Sequence, residues 1–535
     1  MWAKVRLLTG RSENRSRANP ELGITASTLN KHYANISTDA SYKAPGIKLT
    51  ANLENASSHV TEWQVFKALE SLKLTATGLD NIPAWFLKIG APLLAAPIAD
   101  VINLSLSTYV VPKQWKAAYI LPVPKIAVPQ SPADYRPISI TPILSRITER
   151  IVVKDFIYPS LQFPPPDLSF CDQFAFQPSA STTAALIHLL QTITNLLQTN
   201  PYVVVYALDF SKAFDSVRHS AVLNKFSLLS IPDHVYNWIE AFFRDHSHCT
   251  KFDGEISDFL NILASIIQGS AIGPASYVIT ASDLHPVTPG NSMHKYADDS
   301  YLVVPANNIH SSVAEISHIE KWAAENNLVL NFRKSVEIVF VPPRSRRAVN
   351  IPVPAIPNIA RVDTIKALGV TINRKFSVTQ HLENLLASCA QTLFALRTLR
   401  QHGLPTSAIH IVFKATVVAK LSYASPAWWG FTSADDRNRL EAFLRRSARL
   451  GYRHPTDLTF TNICEQSDET LFNSIKRSVN HLLYPLLPQE RSQHYSLRQR
   501  SHNFQIPLRT SALYDNNFIN RMLFRGLNYT SDSQL

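Results

Sequence analysis

An antiparallel sheet backed by helices, an α+β architecture, is expected from three features of this chain. Tyr202-Val203-Val204-Val205-Tyr206-Ala207-Leu208 is β-branched and aromatic almost throughout, so it reads as a buried strand carrying Asp209 at its C-terminal tip. Tyr301-Leu302-Val303-Val304 is a second run of this kind behind the turn-prone Asp298-Asp299-Ser300. Residues 292–304 therefore read as a hairpin whose turn presents an acid pair. Two stretches of helical periodicity, Ser216–Leu229 and Glu315–Leu328, would cover the sheet, the second with Ile316, Ile319, Trp322 and Ala323 along one side.

The acids carry the chemistry. A lone Asp after a strand is ordinarily a helix cap, and Asp-Asp in a turn ordinarily bonds its own backbone. Here Asp209, Asp298 and Asp299 all stand at the edges of apolar runs that a sheet would bring together. Three carboxylates in a dry cleft repel one another by several kcal/mol unless a cation neutralises them. Mg²⁺ suits the place, since it takes oxygen ligands and is usually held by one or two carboxylates plus substrate phosphates. A pair of such ions serves in-line phosphoryl displacement, the chemistry of a polymerase. Between the acid sites, Ile267-Gln268-Gly269-Ser270-Ala271-Ile272-Gly273-Pro274 leads into an apolar segment, and Gly269 would allow close approach of a base pair to the main chain.

The motif order, Asp209 with Phe214 five residues on, then Gln268-Gly269, then Tyr296-Ala297-Asp298-Asp299, resembles the palm of reverse transcriptases of non-LTR (LINE-type, Jockey-like) retrotransposons. Thr77-Gly78-Leu79-Asp80-Asn81-Ile82-Pro83, Leu121-Pro122-Val123-Pro124-Lys125, Asp134-Tyr135-Arg136-Pro137-Ile138-Ser139, Asn331-Phe332-Arg333-Lys334 and Leu368-Gly369-Val370 are similar to the flanking motifs of that family. The resemblance implies a right-hand polymerase fold of fingers, palm and helical thumb, and an RNA-directed DNA polymerase. Such an enzyme would take an RNA template, a DNA primer or target, and dNTPs.

Carried over residue by residue, it implies that Asp209, Asp298, Asp299 and the main-chain carbonyl of Phe210 hold two Mg²⁺ ions, for which Mn²⁺ can substitute. Phe214 would be the aromatic gate that leaves no room for a 2′-hydroxyl. Arg136 and Lys125 would hold the triphosphate, a task suited to guanidinium and ammonium donors. Gln268 and Gly269 would contact the sugar and template side, and Lys334 would give a proton to departing pyrophosphate. One segment departs from the pattern: Phe174-Ala175-Phe176-Gln177-Pro178 stands where the family has Tyr-Gly-Phe-Arg-Pro. A glycine at positive φ would resist alanine, and glutamine lacks the arginine's charge. The alternative reading is accordingly a catalytically impaired remnant that only binds nucleic acid.

Composition shifts divide the chain into a polar leader (1–58), fingers (59–200), palm (201–375), helical thumb (376–480) and basic tail (481–535). The leader is expected to have little core of its own. Thr61-Glu62-Trp63-Gln64 has capping-box spacing, with Trp63, Phe66, Leu69 and Leu72 read as the buried face of the helix it opens. In the thumb, Leu382, Leu386, Cys389, Leu393 and Leu396 share one face, and Gly403 reads as a stop. Ser433 reads as the cap of a helix whose Arg437, Arg445, Arg446 and Arg449 would lie along template phosphates. The tail interleaves arginines, among them Arg491, Arg509, Arg521 and Arg525, with aromatic rings, which could stack on single strands or pack onto the thumb.

Lys and Arg number 52 against 40 Asp and Glu, a net charge of +12, which suits a nucleic-acid partner. The 4 cysteines, Cys171, Cys249, Cys389 and Cys464, are spaced for neither a zinc knuckle nor a disulfide framework and read as buried thiols in a reducing compartment. The start lacks a signal-peptide core. The most apolar window, Ala91–Val111, is interrupted by prolines, Asp100 and Asn103. A nuclear or cytoplasmic protein without a membrane segment is expected, cut from an element whose endonuclease is not in this sequence.

Overall fold

The computed structural model describes residues 23–43, 46–48, 59–267, 269–343, 353–490 and 502–525. Its central sheet has five strands in the order Ala360–Val362, Val336–Phe340, Val203–Leu208, Asp299–Pro305, Ser292–Tyr296. Every neighbouring pair is antiparallel except the first, which is parallel.

The apolar run ending at Asp209 is continuous because both faces of its strand are covered. Val204, Tyr206 and Leu208 share a core with Ile316, Ile319 and Trp322 of the Ser312–Glu325 helix. Val203 and Val205 point the other way, into a core with Leu186, Leu190 and Ile193 of the Thr182–Leu196 helix. A strand of this kind has no polar face to show, so its first polar position marks where it leaves the core.

Helix boundaries moved where polar side chains took over the backbone. The helix expected over 315–328 runs over Ser312–Glu325 and ends there, because Asn326 bonds the Trp322 carbonyl through Nδ2 (2.8 Å) and Asn327 turns left-handed at φ 59. The helix expected from Ser216 is split into Ala213–Ser216 and His219–Leu228. Gly403 (φ 84) follows the Thr379–Gln401 helix as expected, with Leu382, Cys389 and Leu396 buried. Ser433 and Asp436 form a reciprocal cap on Ala434–Arg449.

The expected cap at Thr61 is present, with Gln64 answering it, but the buried face differs. Val65, Leu69 and Leu72 are buried, whereas Trp63 is 62% exposed and stacks on Phe66. The window around Ala91 is not interrupted either: Ala91–Thr108 runs as one helix through Pro97. Asn103 fits inside it by holding both the N–H and the carbonyl of Val60 (2.8 and 2.9 Å). This helix is long and apolar enough to cross a membrane by length and composition. One of its faces packs within the fold, burying Ala95, Ala99, Ile102 and Leu106. Of the cysteines, Cys249, Cys389 and Cys464 are buried as expected and Cys171 is exposed.

Two terminal segments pack more firmly than their composition suggested. Thr25 and Thr28 cap a helix over Ala26–Ile36, and its Leu29 and Tyr33 lie with Ile120 and Tyr135 against the strands Ala117–Pro124 and Tyr135–Ile140. Two large side chains one turn apart are enough to bury a helix once a sheet face waits for them. Beyond it, Asp39, with its side chain 1% exposed, meets Arg218 through paired bonds of 2.9 and 3.2 Å. In the tail, Arg521 pairs with the buried Asp468 (2.8 Å), Arg525 reaches Glu465 and Glu469, and Arg509 covers the Phe524 ring. These arginines are taken up by packing onto the helical region. Arg491 lies outside the described residues.

Arg218→Met would leave the Asp39 carboxylate buried alone, and a loss of about 3 kcal/mol in unfolding free energy is expected in urea titrations. Arg218→Lys should lose less, since it keeps the charge and gives up the fork.

Candidate active site

Strand register delivers the acids. Leu208 pairs with Ser300, so the next step of the antiparallel ladder sets Asp209 opposite Asp299. Tyr296 pairs with Asp299 across the hairpin, which leaves Ala297 and Asp298 as its two-residue turn, with Ala297 left-handed at φ 55. Asp209 is anchored on its own side: its N–H donates to Ser335 Oγ (3.2 Å) and its carbonyl accepts from the Asn331 N–H (2.8 Å). Ser335 is a support that sequence reading missed, since a serine after Asn331-Phe332-Arg333-Lys334 carries no signal of its own.

The electrostatics record the crowding. Burial raises the carboxyl of Asp298, with repulsion from Asp209 adding to it and Arg136 opposing. Asp299 is pushed up to about 6 by burial and then by the charges of Asp298 and Asp209, although its surface opens to the cleft. Among the described residues, no three His, Cys, Asp or Glu side chains close into a cage. The donors are all oxygen, however, and Mg²⁺ ordinarily completes its shell with water and substrate phosphates, so the acid set fits such an ion.

The basic residues gather beside the acids. Arg136 is exposed on the Tyr135–Ile140 strand, in register with Val123. Lys125 Nζ bonds the Ala133 carbonyl (2.9 Å) and its ammonium is lowered by burial, with Asp215, Arg136, Lys212 and Lys334 all within electrostatic reach. Lys334 is exposed, with Nζ 3.9 Å from Asp209 Oδ2. Lys212, left-handed at φ 51, was not singled out in the sequence because a lone lysine in a turn carries no signal.

Phe214 stacks on Tyr277 with ring centroids 4.6 Å apart, and Tyr277, fully buried, has its hydroxyl raised by burial and by Asp298 and Asp299. The Phe214 ring and the acids therefore share one wall. Phe210 is buried and its short strand pairs with Val329–Leu330. Gly269 (φ 115) serves a contact within the chain, since a Cβ there would fall on the Ser139 carbonyl oxygen. Gln268 lies outside the described residues.

The departing segment is accommodated. Positive φ falls on Phe176 (53) and Ser179 (63) and not on Ala175, so alanine is unstrained there. Gln177 turns inward, donating from Nε2 to the carbonyls of Phe170 and Gln173 (3.2 and 3.0 Å). On the Ala434–Arg449 helix, Arg445, Arg446 and Arg449 are exposed, with Arg445 and Arg449 beside an open groove of about 650 Å³. Arg437 instead covers the Trp429 ring and bonds Thr432 Oγ1 (2.8 Å).

The family model described as reverse transcriptase (RNA-dependent DNA polymerase) matches residues 123–372, the span that holds all three acids, Arg136 and Phe214. Residues 123–372 form a reverse transcriptase domain. The right-hand fold expected from the motifs accompanies it. The reverse transcriptase domain and its flanks are similar to the RNA-directed DNA polymerase from mobile element jockey of Drosophila melanogaster. The two are 26% identical over 308 residues, covering 54% of this chain and 32% of that protein. The probable RNA-directed DNA polymerase from transposon BS of the same fly is 25% identical over 411 residues, covering 72% of this chain and 44% of that one. The chain thus spans less than half the length of these relatives. A solved telomerase from Candida tropicalis, in complex with a fragment of telomeric RNA, aligns over 75% of this chain and 67% of that one. Its TM-score is 0.38 and its identity 11%.

The raised Asp299 carboxyl sets a pH dependence. Its proton is held more tightly in the folded chain, so metal-free protein is favoured below about pH 4. It loses that contribution as pH rises through about 6. In EDTA, Asp299→Asn should melt above wild type at neutral pH and with it near pH 4. Added Mg²⁺ should raise the wild-type melting temperature more than the variant's.

Proposed function

We propose that the chain is an RNA-directed DNA polymerase of a Jockey-like, non-LTR element, with fingers over 59–200, palm over 201–375 and thumb over 376–480. The supporting observation is the register that sets Asp209 against Asp299, with Asp298 in the adjoining turn. Asp209, Asp298, Asp299 and the Phe210 carbonyl would hold two Mg²⁺ ions. When bound, these would supply an activated primer 3′-hydroxyl and neutralise charge on the departing oxygen.

The chain's own residues do the rest. Lys125 and Arg136 hold the triphosphate: Arg136 acts on the Asp298 carboxyl, and Lys125 lies within electrostatic reach of Arg136 and Lys334. Phe214, braced by Tyr277, occupies the space that a ribose 2′-hydroxyl would need. Lys334, whose ammonium lies beside Asp209, would protonate departing pyrophosphate. Gln268 and Gly269 would face the sugar and template, the glycine also making room for Ser139. Arg445, Arg446 and Arg449 would neutralise template-strand phosphates, whereas Arg437 is engaged by Trp429 and Thr432. One motive for the remnant reading falls away at Ala175, whose φ is not positive.

Primer extension on poly(rA)/oligo(dT) with Mg²⁺ tests the reading. Incorporation of dTTP is expected, and Asp298→Asn should lower it by about 10²-fold or more. Undiminished incorporation by that variant would reject the assignment. Phe214→Ala should raise rNTP use relative to dNTP use, and an unchanged ratio would count against the gate.

A further inference from the structure

The turn that carries Asp298 is held from outside the hairpin. Gln173 is 1% exposed, and its Oε1 accepts from two main-chain N–H groups, that of Ala297 (3.1 Å) and that of Ala175 (3.0 Å). Only the oxygen of a side-chain amide can accept from two donors, so the amide is fixed in orientation. Its Nε2 is buried and has no hydrogen-bond partner among the described residues. An unmade buried bond at Gln173 is a cost to the fold. The left-handed backbone of Ala297, the residue that links Tyr296 to Asp298, is a second.

The segment bearing Gln173 is itself fastened to the strand before the turn. Lys295 N–H donates to the Asp172 carbonyl (2.7 Å), and Phe174 N–H donates to the Lys295 carbonyl (2.8 Å), which makes Gln173 a parallel partner of Lys295. The Lys295 ammonium, with no exposed side-chain surface, lies 3.0 Å from Asp172 Oδ1 and donates to the carbonyls of Ala281 and Leu284. A buried ion pair whose ammonium also donates to two main-chain carbonyls favours one arrangement of the segment. Asp172 and Lys295 thus set the height of the segment, and Gln173 converts that height into the position of the Ala297 amide.

We infer that Gln173 is a positioning residue for the acid pair: its side-chain oxygen holds the Ala297 peptide so that Asp298 and Asp299 present their carboxylates together to a divalent ion. The inference rests on the polymerase reading given above. It predicts that loss of this oxygen raises the Mg²⁺ requirement and leaves template–primer binding alone, because Gln173 is buried away from the surface that nucleic acid would touch.

Full-length Gln173→Met and Gln173→Glu test it. Met keeps the length of the side chain and removes the acceptor. Glu keeps an accepting oxygen, and burial favours the protonated, neutral form of its carboxyl. In hydrogen exchange without metal, the peptide spanning 293–301 should exchange faster in the Met variant and regain protection in the Glu variant. In primer extension, the Mg²⁺ concentration for half-maximal rate should rise about 10- to 100-fold with Met and recover substantially with Glu. The dissociation constant for template–primer should match wild type in both.

Wild-type exchange or wild-type Mg²⁺ dependence in the Met variant would overturn the inference, as would a Glu variant that restores neither. Should the Met variant fail to fold, Gln173→Asn, whose amide is one methylene too short to reach Ala297, replaces it with the same expectations. A wild-type protein that extends no primer would refute the polymerase reading, while the exchange comparison would still decide the role of Gln173.

Discussion

Like charge held at close quarters is what the molecule is organised around. The antiparallel ladder that pairs Leu208 with Ser300 leaves Asp209 and Asp299 facing one another, and the two-residue turn adds Asp298. No free chain would choose that arrangement, and the carboxyls of Asp298 and Asp299 are lifted first by burial and then by the neighbouring charges. The strand beneath is buried on both faces, so its register cannot slip without moving Val203 through Leu208 between two cores. Core packing thus supplies the free energy that holds the acids together.

Around this centre the supports come from distant parts of the chain. Ser335 and Asn331, just ahead of the neighbouring Val336–Phe340 strand, hold Asp209, and Gln173 holds Ala297 from the segment ahead of the Thr182–Leu196 helix. Asp39, just past the Ala26–Ile36 helix, pairs with Arg218, two residues past Ser216, so the N-terminal segment braces the stretch that follows Phe214. Lys125, Lys212, Arg136 and Lys334 give the cleft a positive rim opposite its negative floor. Such an arrangement suits a ligand that brings both a metal ion and a polyanion.

The sheet, the hairpin and the caps at Thr61 and Ser433 were legible in the sequence because each rests on local rules: period, turn chemistry and capping geometry. What stayed hidden depends on partners far away in sequence. Trp63 looked like a core residue until Val65 and Leu69 took the buried face. The leader looked coreless because Leu29 and Tyr33 are too few to register in composition, yet they suffice against a waiting sheet. Ala175 looked like a damaged glycine because the location of positive φ in that loop, at Phe176, is a tertiary outcome. Gln173 and Ser335 gave no sign at all, since a polar residue that bonds a backbone amide is indistinguishable in sequence from one that faces water.

Crystals grown with an RNA–DNA template–primer, a dNTP and Mn²⁺, with data collected at the manganese edge, would put the whole scheme to trial. Anomalous peaks are expected within about 2.5 Å of carboxylate oxygens of Asp209 and of Asp298 or Asp299, bridged to the triphosphate. Manganese bound elsewhere, or ligated by none of these three side chains while nucleotide and primer are in place, would contradict it.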